Sequence, residues 1–385
     1  MIQMMTAYTE EVDEAEDGIA EILGQINLGA LKKNSLGIIT CHFDFTETGF
    51  IAELCKKLPF DIIGMTTLAS ANPHGQGIFA LSLTVLTSDD VVFEASLTQP
   101  LDPDNYREQI EASYVQAAGK LPGKPSMIIT FFPYRKNLSG ALMHRTFDDI
   151  CGGAPFWGSI STDSDVSYVH STIFLNGTIS KGGLVMALLY GSVDPEFIVV
   201  SIPSQNIRKD RAQITGSDGC LLKEINGIPA MNYLTTMGVQ IMENAPITTP
   251  LMVYYEGSSE PVALAIYTVY DDGSLLCGGE MTKGSFIAIG EITDEGIMET
   301  AGECITRVLK CGKKNGALLL PCVSRYVMLA PNHNAEVELI AERMERGRVM
   351  PFMVGYSGGE LCPVWDEAGI LRNRFHNFTF SACIL

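Results

Sequence analysis

Three short apolar runs with the same sequel punctuate the chain. Gly37-Ile38-Ile39-Thr40, Met127-Ile128-Ile129-Thr130 and Ala317-Leu318-Leu319-Leu320 have strand character. Each leads into a polar stretch that predicts a helix and then into a Pro-Phe step, at Pro59-Phe60, Pro155-Phe156 and Pro351-Phe352. A glycine turn rich in hydroxyls follows each step: Gly64-Met65-Thr66-Thr67, Gly158-Ser159-Ile160-Ser161-Thr162-Asp163 and Gly355-Tyr356-Ser357. Apolar strands then return, at 78–83, at 172–175 with 184–187, and at 378–382. The unit reads strand, helix, strand, turn, strand. Its periods are unequal, which makes it a degenerate internal repeat and not a solenoid.

The same patterning predicts helices over 10–25, 48–57, 105–118, 140–151, 230–237, 294–311 and 335–346. From about 198 to 291 strands dominate, with hairpin punctuation at Gly216-Ser217-Asp218-Gly219 and Asp271-Asp272-Gly273-Ser274. The expected fold class is therefore α/β: two α/β domains with mixed sheets built on the repeat. The boundary falls near Pro195 to Pro203, where an apolar strand gives way to a polar stretch, so the expected domains are 1–198 and 199–385.

Length and charge narrow the function. A chain of 385 residues exceeds what one core usually serves. Its 26 basic and 45 acidic residues leave a net charge of -19, which argues against nucleic acid or an anionic membrane as partner. No basic segment precedes an apolar one at the start, and 182–190 is far too short to span a bilayer, so a cytoplasmic protein is expected. The ten cysteines contain no Cys-x-x-Cys pair, which gives neither a zinc site nor a disulfide framework.

Candidate chemistry gathers at the turns. In open α/β sheets ligands settle beyond the carboxyl ends of strands, where loops expose main-chain N–H groups and short polar side chains. Thr66, Thr67, Ser159, Asp163, Ser357 and Glu360 supply hydroxyls and carboxylates there, and suit a small polar ligand. Ordinary turn chemistry explains such residues equally well. No nucleophile elbow, Walker loop, His-Glu-x-x-His or dinucleotide fingerprint is present. Cys322, Glu360 and His376 offer the residue types of a thiol nucleophile, an orienter and a base, but a cysteine after Pro321 in an apolar run is more often inert core. A non-enzyme is the expectation.

Two motifs near the C-terminus carry a resemblance. Gly355-Tyr356-Ser357-Gly358-Gly359-Glu360 and Phe375-His376-Asn377-Phe378-Thr379 resemble the Gly-Tyr-x-x-Gly-Glu turn and x-His-Asn-x-Thr strand of the FIST family, the F-box and intracellular signal transduction proteins. Ile62-Ile63-Gly64-Met65-Thr66-Thr67, Gly227-Ile228-Pro229-Ala230-Met231-Asn232-Tyr233-Leu234 and Pro321-Cys322-Val323-Ser324-Arg325 resemble further family segments, in order, with Met65 where the family usually has cysteine.

The resemblance implies a sensory module that binds a small ligand, with Arg325, Tyr356, Ser357, Glu360, His376, Asn377 and Cys322 forming part of the pocket. Arg325, read as the end of an apolar strand, either clamps a ligand carboxylate or pairs with Glu360. An amino acid ligand would use both residues, its carboxylate on Arg325 and its ammonium on Glu360. Some members are described as haem-binding nitric oxide sensors, and His42 or His376 would then be the axial ligand of a non-covalent haem; His376 reads equally as a ring bonded to a main-chain carbonyl. With no output domain in sight, a bacterial stand-alone sensor would signal through a partner such as a histidine kinase or diguanylate cyclase, in the manner of two-component signalling. A ligand-free adaptor is the other alternative.

Overall fold

The structure is a computed structural model, described here for all residues except 136, 165–166, 240–248, 259, 314 and 348–349. The three apolar runs become the first strands of three parallel pairs. Asn34–Cys41 lies parallel to Asp61–Thr66, Met127–Pro133 to Phe156–Ser161, and Ala317–Pro321 to Phe352–Gly355. In each unit the returning strand lies antiparallel on the first one, as Leu81–Ser88, Val185–Tyr190 and Phe380–Ile384. A further strand closes the far side of each return: Gln3–Thr9, Val92–Leu97 and Glu196–Val200.

Three equivalent sheets result, each completed to six strands in an unusual way. The hairpin that follows the turn of one unit pairs with the sheet of another. Ser70–Asn72, after the first turn, adds to Phe352–Gly355 of the third unit. Ile173–Leu175, after the second, adds to Asp61–Thr66 of the first. Glu360–Leu361, after the third, adds to Phe156–Ser161 of the second. The exchange closes on itself as a ring of three.

Helices cover the outer faces and the inner faces meet. Along Met127–Pro133 the side chains of Met127, Ile129 and Phe131 enter a central cluster with Ile38, Met65, Trp157, Leu318 and Met353, drawn from all three sheets. The alternate residues Ile128 and Phe132 pack with Phe147 beneath the helix Gly140–Cys151. Burial on both faces is why these strands read as continuous apolar runs without alternation. Gly158 shows how closely the strands approach, since a Cβ there would collide with the Thr130 carbonyl oxygen. Helix ends follow ordinary rules: Thr293 caps Asp294–Lys310 by accepting from Gly296 N–H at 3.1 Å, with Asp294 and Glu295 in the first turn and Arg307 and Lys310 in the last.

The strand-rich middle is an insertion. Between Glu196–Val200 and the helix Asp294–Lys310 of the third unit stands an eight-stranded antiparallel sheet running from Ala212–Asp218 to Phe286–Ile289, with its own core around Leu222, Leu251, Leu264 and Ile287. The division expected between 198 and 199 thus falls inside a strand, and three of the chain's own strand pairings cross it. A polar stretch flanked by prolines looks like a linker in sequence, whereas here it leads from a core strand into the insert. Among the described residues, no helix is long and apolar enough to cross a membrane.

Candidate functional site

The ends of the three parallel pairs meet. The last pairings set Thr66 against Cys41, Ser161 against Pro133 and Ser357 against Cys322, which places three hydroxyl residues at equivalent positions. Hydrogen bonds then tie the turns to one another. Thr67 Oγ1 donates to the Tyr356 carbonyl at 2.9 Å, Leu68 N–H donates to Thr162 Oγ1 at 3.0 Å, and Ser159 Oγ donates to Ser357 Oγ at 2.8 Å. Gly358 N–H and Ile160 N–H each bond across to the other turn's main chain. The turns from both halves of the chain therefore belong to one junction.

The carboxyl group of Glu360 lies at that junction, fully buried. Its Oε2 accepts from Thr379 Oγ1 at 2.6 Å and from Thr379 N–H at 3.4 Å. Its Oε1 is buried without a partner. Burial outweighs the hydrogen bonds from Thr379, Cys322 and Ser357 and lifts the carboxyl from the usual 4.5 to about 8. The group is thus held largely protonated at neutral pH. Cys322 beside it is also pushed up, by burial first and Glu360 second, and stays a thiol.

Three tyrosines from separate elements converge above this pair. Tyr134 and Tyr168 lie with ring centroids 4.7 Å apart. Tyr168 and Tyr267 both feel Cys322 and each other, and Tyr267 also feels Glu360. Tyr267 is 49% and Tyr134 45% accessible to solvent, although burial raises the Tyr267 phenol. The tyrosine cluster thus packs beside Cys322 and Glu360 while keeping one face open to solvent. Asn377 fixes this wall: its Oδ1 accepts from Ala265 N–H at 3.1 Å and its Nδ2 donates to Tyr267 Oη at 3.5 Å, joining the inserted sheet to the third unit.

Asp163 acts through its loop. Its carboxylate accepts from the N–H groups of Tyr168 and His170, both at 3.0 Å, and so holds Tyr168 in a left-handed conformation with φ 62°. Thr66 Oγ1 accepts from Thr172 N–H at 2.9 Å, which anchors the strand Ile173–Leu175 beside it. Thr66, Thr67, Ser159 and Ser357 therefore spend their hydroxyls on binding turn to turn.

Arg325 stands elsewhere. The apolar strand stops at Pro321, and Cys322 opens a short helix, Val323–Met328, that turns Arg325 away from Glu360. Its guanidinium pairs with Glu336, with Nε 2.8 Å and Nη2 2.7 Å from Oε1, and Nη2 also donates to the Ile297 carbonyl and Thr300 Oγ1. Tyr356 joins that network by donating to Glu336 Oε2 at 3.2 Å. Both residues are fully spent inside the third unit. The expected Arg325–Glu360 pair is corrected to Arg325–Glu336; the sequence signal misled because a strand end was read where a helix begins.

His376 Nε2 sits 3.0 Å from the Cys362 carbonyl, and burial lowers the ring to about 4. Cys322 lies beside Glu360, and the His376 Nε2 is taken by the Cys362 carbonyl, so these residues do not assemble as a thiol and its base. The tie to Cys362 also makes His376 a poor fit for haem. His42 keeps a buried, unpartnered Nε2, with Nδ1 3.2 Å from Asp44 Oδ2, but its ring is flanked by Phe43 and Phe79 at 4.3 and 4.7 Å. Of the described cavities, none is lined by His42 or His376.

Sequence reasoning missed Thr379 and the three tyrosines. Thr379 was within reach, as the last residue of the His-Asn-x-Thr motif. The tyrosines had no signal, since each sits on a different element and only the assembled junction brings them together.

Comparison with known proteins adds to this geometry. A search of curated proteins gave no match. Among solved structures, a cyanuric acid hydrolase from A. caulinodans matches 100% of this chain and 99% of its own, at 9% identity and a TM-score of 0.33. A second cyanuric acid hydrolase structure gives 7% and 0.36, and a chorismatase 8% and 0.35, with the same coverage. These three structures are of enzymes, against the expectation of a non-enzyme, which rested on finding no familiar motif and is withdrawn; they assign no activity to this chain. At such scores the likeness carries nothing further. The FIST N domain model matches residues 35–228 and the FIST C domain model 230–363. Together they span most of the sequence and include the Gly355–Glu360 turn, so the chain belongs to the FIST family, whose domains serve in signal-transduction sensing.

Proposed function

We propose that this chain is a sensory module that takes a small polar ligand into the tyrosine-lined recess over Glu360 and signals through a partner protein. The observation that carries the reading is Glu360 itself: a buried carboxyl with one oxygen unpartnered, at the point where all three turns join. With Oε2 accepting from Thr379, the proton of the neutral acid sits on Oε1; an unsatisfied buried donor costs about 1–3 kcal/mol, a penalty that an acceptor atom of a ligand relieves on binding. With Arg325 committed to Glu336, an amino acid has no clamp for its carboxylate, so the ligand is best described by an acceptor for the Glu360 acid and a flat or apolar body for Tyr134, Tyr168 and Tyr267.

Signalling follows by a ligand-dependent shift between arrangements of the junction. A bacterial cytoplasmic histidine kinase or diguanylate cyclase is the partner we infer, and the net charge of -19 supports a protein partner over nucleic acid or an anionic membrane. Native mass spectrometry of gently purified protein, followed by a metabolite screen read by thermal shift, tests the reading. A ligand lost on denaturation, and lost again in Glu360→Ala and Tyr267→Ala, is the expected result. A bound ligand indifferent to both substitutions, or a screen with no ligand at all, overturns it.

A further inference from the structure

A second cavity, of about 720 Å³, opens between the helix Gly140–Cys151 and the inserted sheet, within the roughly 300–1,000 Å³ usual for small-molecule sites. Arg374, Arg211 and Lys283 line it. In a chain with 45 acidic residues, none of these three cations joins an ion pair among the described residues. Two carboxylates share the lining, Glu256 and Glu280, and Glu280 already faces Arg145 at 3.5 Å. The guanidinium groups are braced by aromatic rings: Arg211 lies 3.6 Å from the centroid of Tyr254, and Arg374 5.2 Å from that of Tyr255. Such stacking fixes the plane of a guanidinium and leaves its N–H edge free for an anion.

Arg374 and His144 define what that anion must offer. Arg374 Nη1 donates to the Asn373 carbonyl at 3.2 Å, while its Nε is buried with no partner. His144 bonds through its ring to the Asn373 main chain and leaves Nε2 buried and unpartnered. Burial first and Arg374 second hold this imidazole neutral, with its pKa lowered to about 3, so Nε2 is a bare acceptor. Two residues that line the cavity therefore each keep a buried nitrogen without a partner, one a cationic donor and the other a neutral acceptor. A carboxylate answers only the first. A phosphate group that keeps one proton answers both, since a P–O⁻ oxygen accepts from Arg374 and its P–OH donates to His144; inorganic phosphate keeps that proton as its dianion, a monoester only as its monoanion.

We propose that this cavity is a second ligand site, distinct from the recess over Glu360, that takes a phosphate-bearing metabolite with the phosphate on Arg374 and His144 and with Arg211 and Lys283 adding charge. Phe375, which lines the cavity, also packs toward Gly359 next to Glu360, so the two sites share a wall.

Titration of the full chain with inorganic phosphate, followed by ³¹P line broadening or calorimetry, tests the site, with malonate as the carboxylate comparison. Phosphate should bind and malonate should bind more weakly. Arg374→Gln should weaken phosphate binding by about 10- to 100-fold, and Lys283→Gln by several-fold, while Lys56→Gln, an exposed charge far along the chain, should change nothing. Should Arg374→Gln fail to fold, Lys283→Gln with Arg211→Gln carries the test. Absence of phosphate binding at millimolar concentration, or binding unchanged in these variants, overturns the site. Malonate binding as tightly as phosphate overturns the assignment of phosphate.

Discussion

Ser159 and Ser357, 198 positions apart in the chain, bring their hydroxyl oxygens to 2.8 Å at the junction of the second and third units. Ser357 Oγ also accepts from Gly359 N–H at 3.0 Å, so it serves both its own turn and its neighbour's. Ser357→Ala strands a buried N–H and should cost about 1–3 kcal/mol in urea unfolding. Ser159→Ala should cost less, and a double-mutant cycle should give a coupling of about 0.5–1.5 kcal/mol between the two. Additive effects would show that the contact carries no energy of its own.

Arg325 gives the sharpest stability prediction. Burial alone would lower its pKa, but the adjoining Glu336 carboxylate reverses this and keeps it charged. Arg325→Ala leaves Glu336 buried without its counter-ion and should destabilise the fold by roughly 3–5 kcal/mol. Arg325→Met together with Glu336→Gln removes both charges while keeping an acceptor for Tyr356, and should recover much of the loss. Equal stability of the single and double variants would contradict the pairing.

Glu360 should make the protein less stable as pH rises. Its folded pKa, about 8, lies above the ordinary 4.5, so between those values the folded state holds a proton that the unfolded state releases. Stability drains away from about pH 4.5 to about 8, by an amount on the order of a few kcal/mol. Glu360→Gln keeps an acceptor for Thr379 and cannot ionise. Denaturation curves at pH 5 and pH 8 should show the variant gaining on the parent at the higher pH; parallel profiles would show that the carboxyl does not titrate there.

His376 works in the opposite sense. Its folded pKa of about 4 lies below the ordinary 6.5, so the unfolded state takes up the proton first, and stability is lost as pH falls from about 6.5 toward 4. His376→Gln should flatten this acid limb while leaving the alkaline limb due to Glu360 in place. An unchanged acid limb would assign it to other groups.

Much of this fold was legible because its repeat is written in apolar runs. Residues 140–151 appear as Gly140–Cys151, since amphipathic spacing and a capping Ser139 mark such an element without tertiary help, and 105–118 appears as Tyr106–Ala118. What lay hidden was pairing between units. Nothing in Glu360-Leu361 announces that it will sit on Gly158 and Ser159, because a two-residue strand has no period to read. The last strand misled for a local reason. Phe378 takes a φ of 58°, which separates Phe375–His376 on the second unit's sheet from Phe380–Ile384 on the third's, so the strand expected at 378–382 begins two residues later. Glu360, Asn377 and Arg325 were all singled out through motif likeness; the first two stand at the junction of the turns and its wall, whereas Arg325 stands against Glu336.

The ring of exchanged hairpins bears on how the molecule comes apart. Each sheet has its outer strands supplied by a different unit, so none can open without exposing the edge of another, and proteolysis within one turn should loosen two sheets together. Unfolding is then expected as one concerted event across all three units, as in a clasp whose hooks release only together. That linkage lets an event at Glu360, where the hooks meet, be felt on every outer surface of the protein.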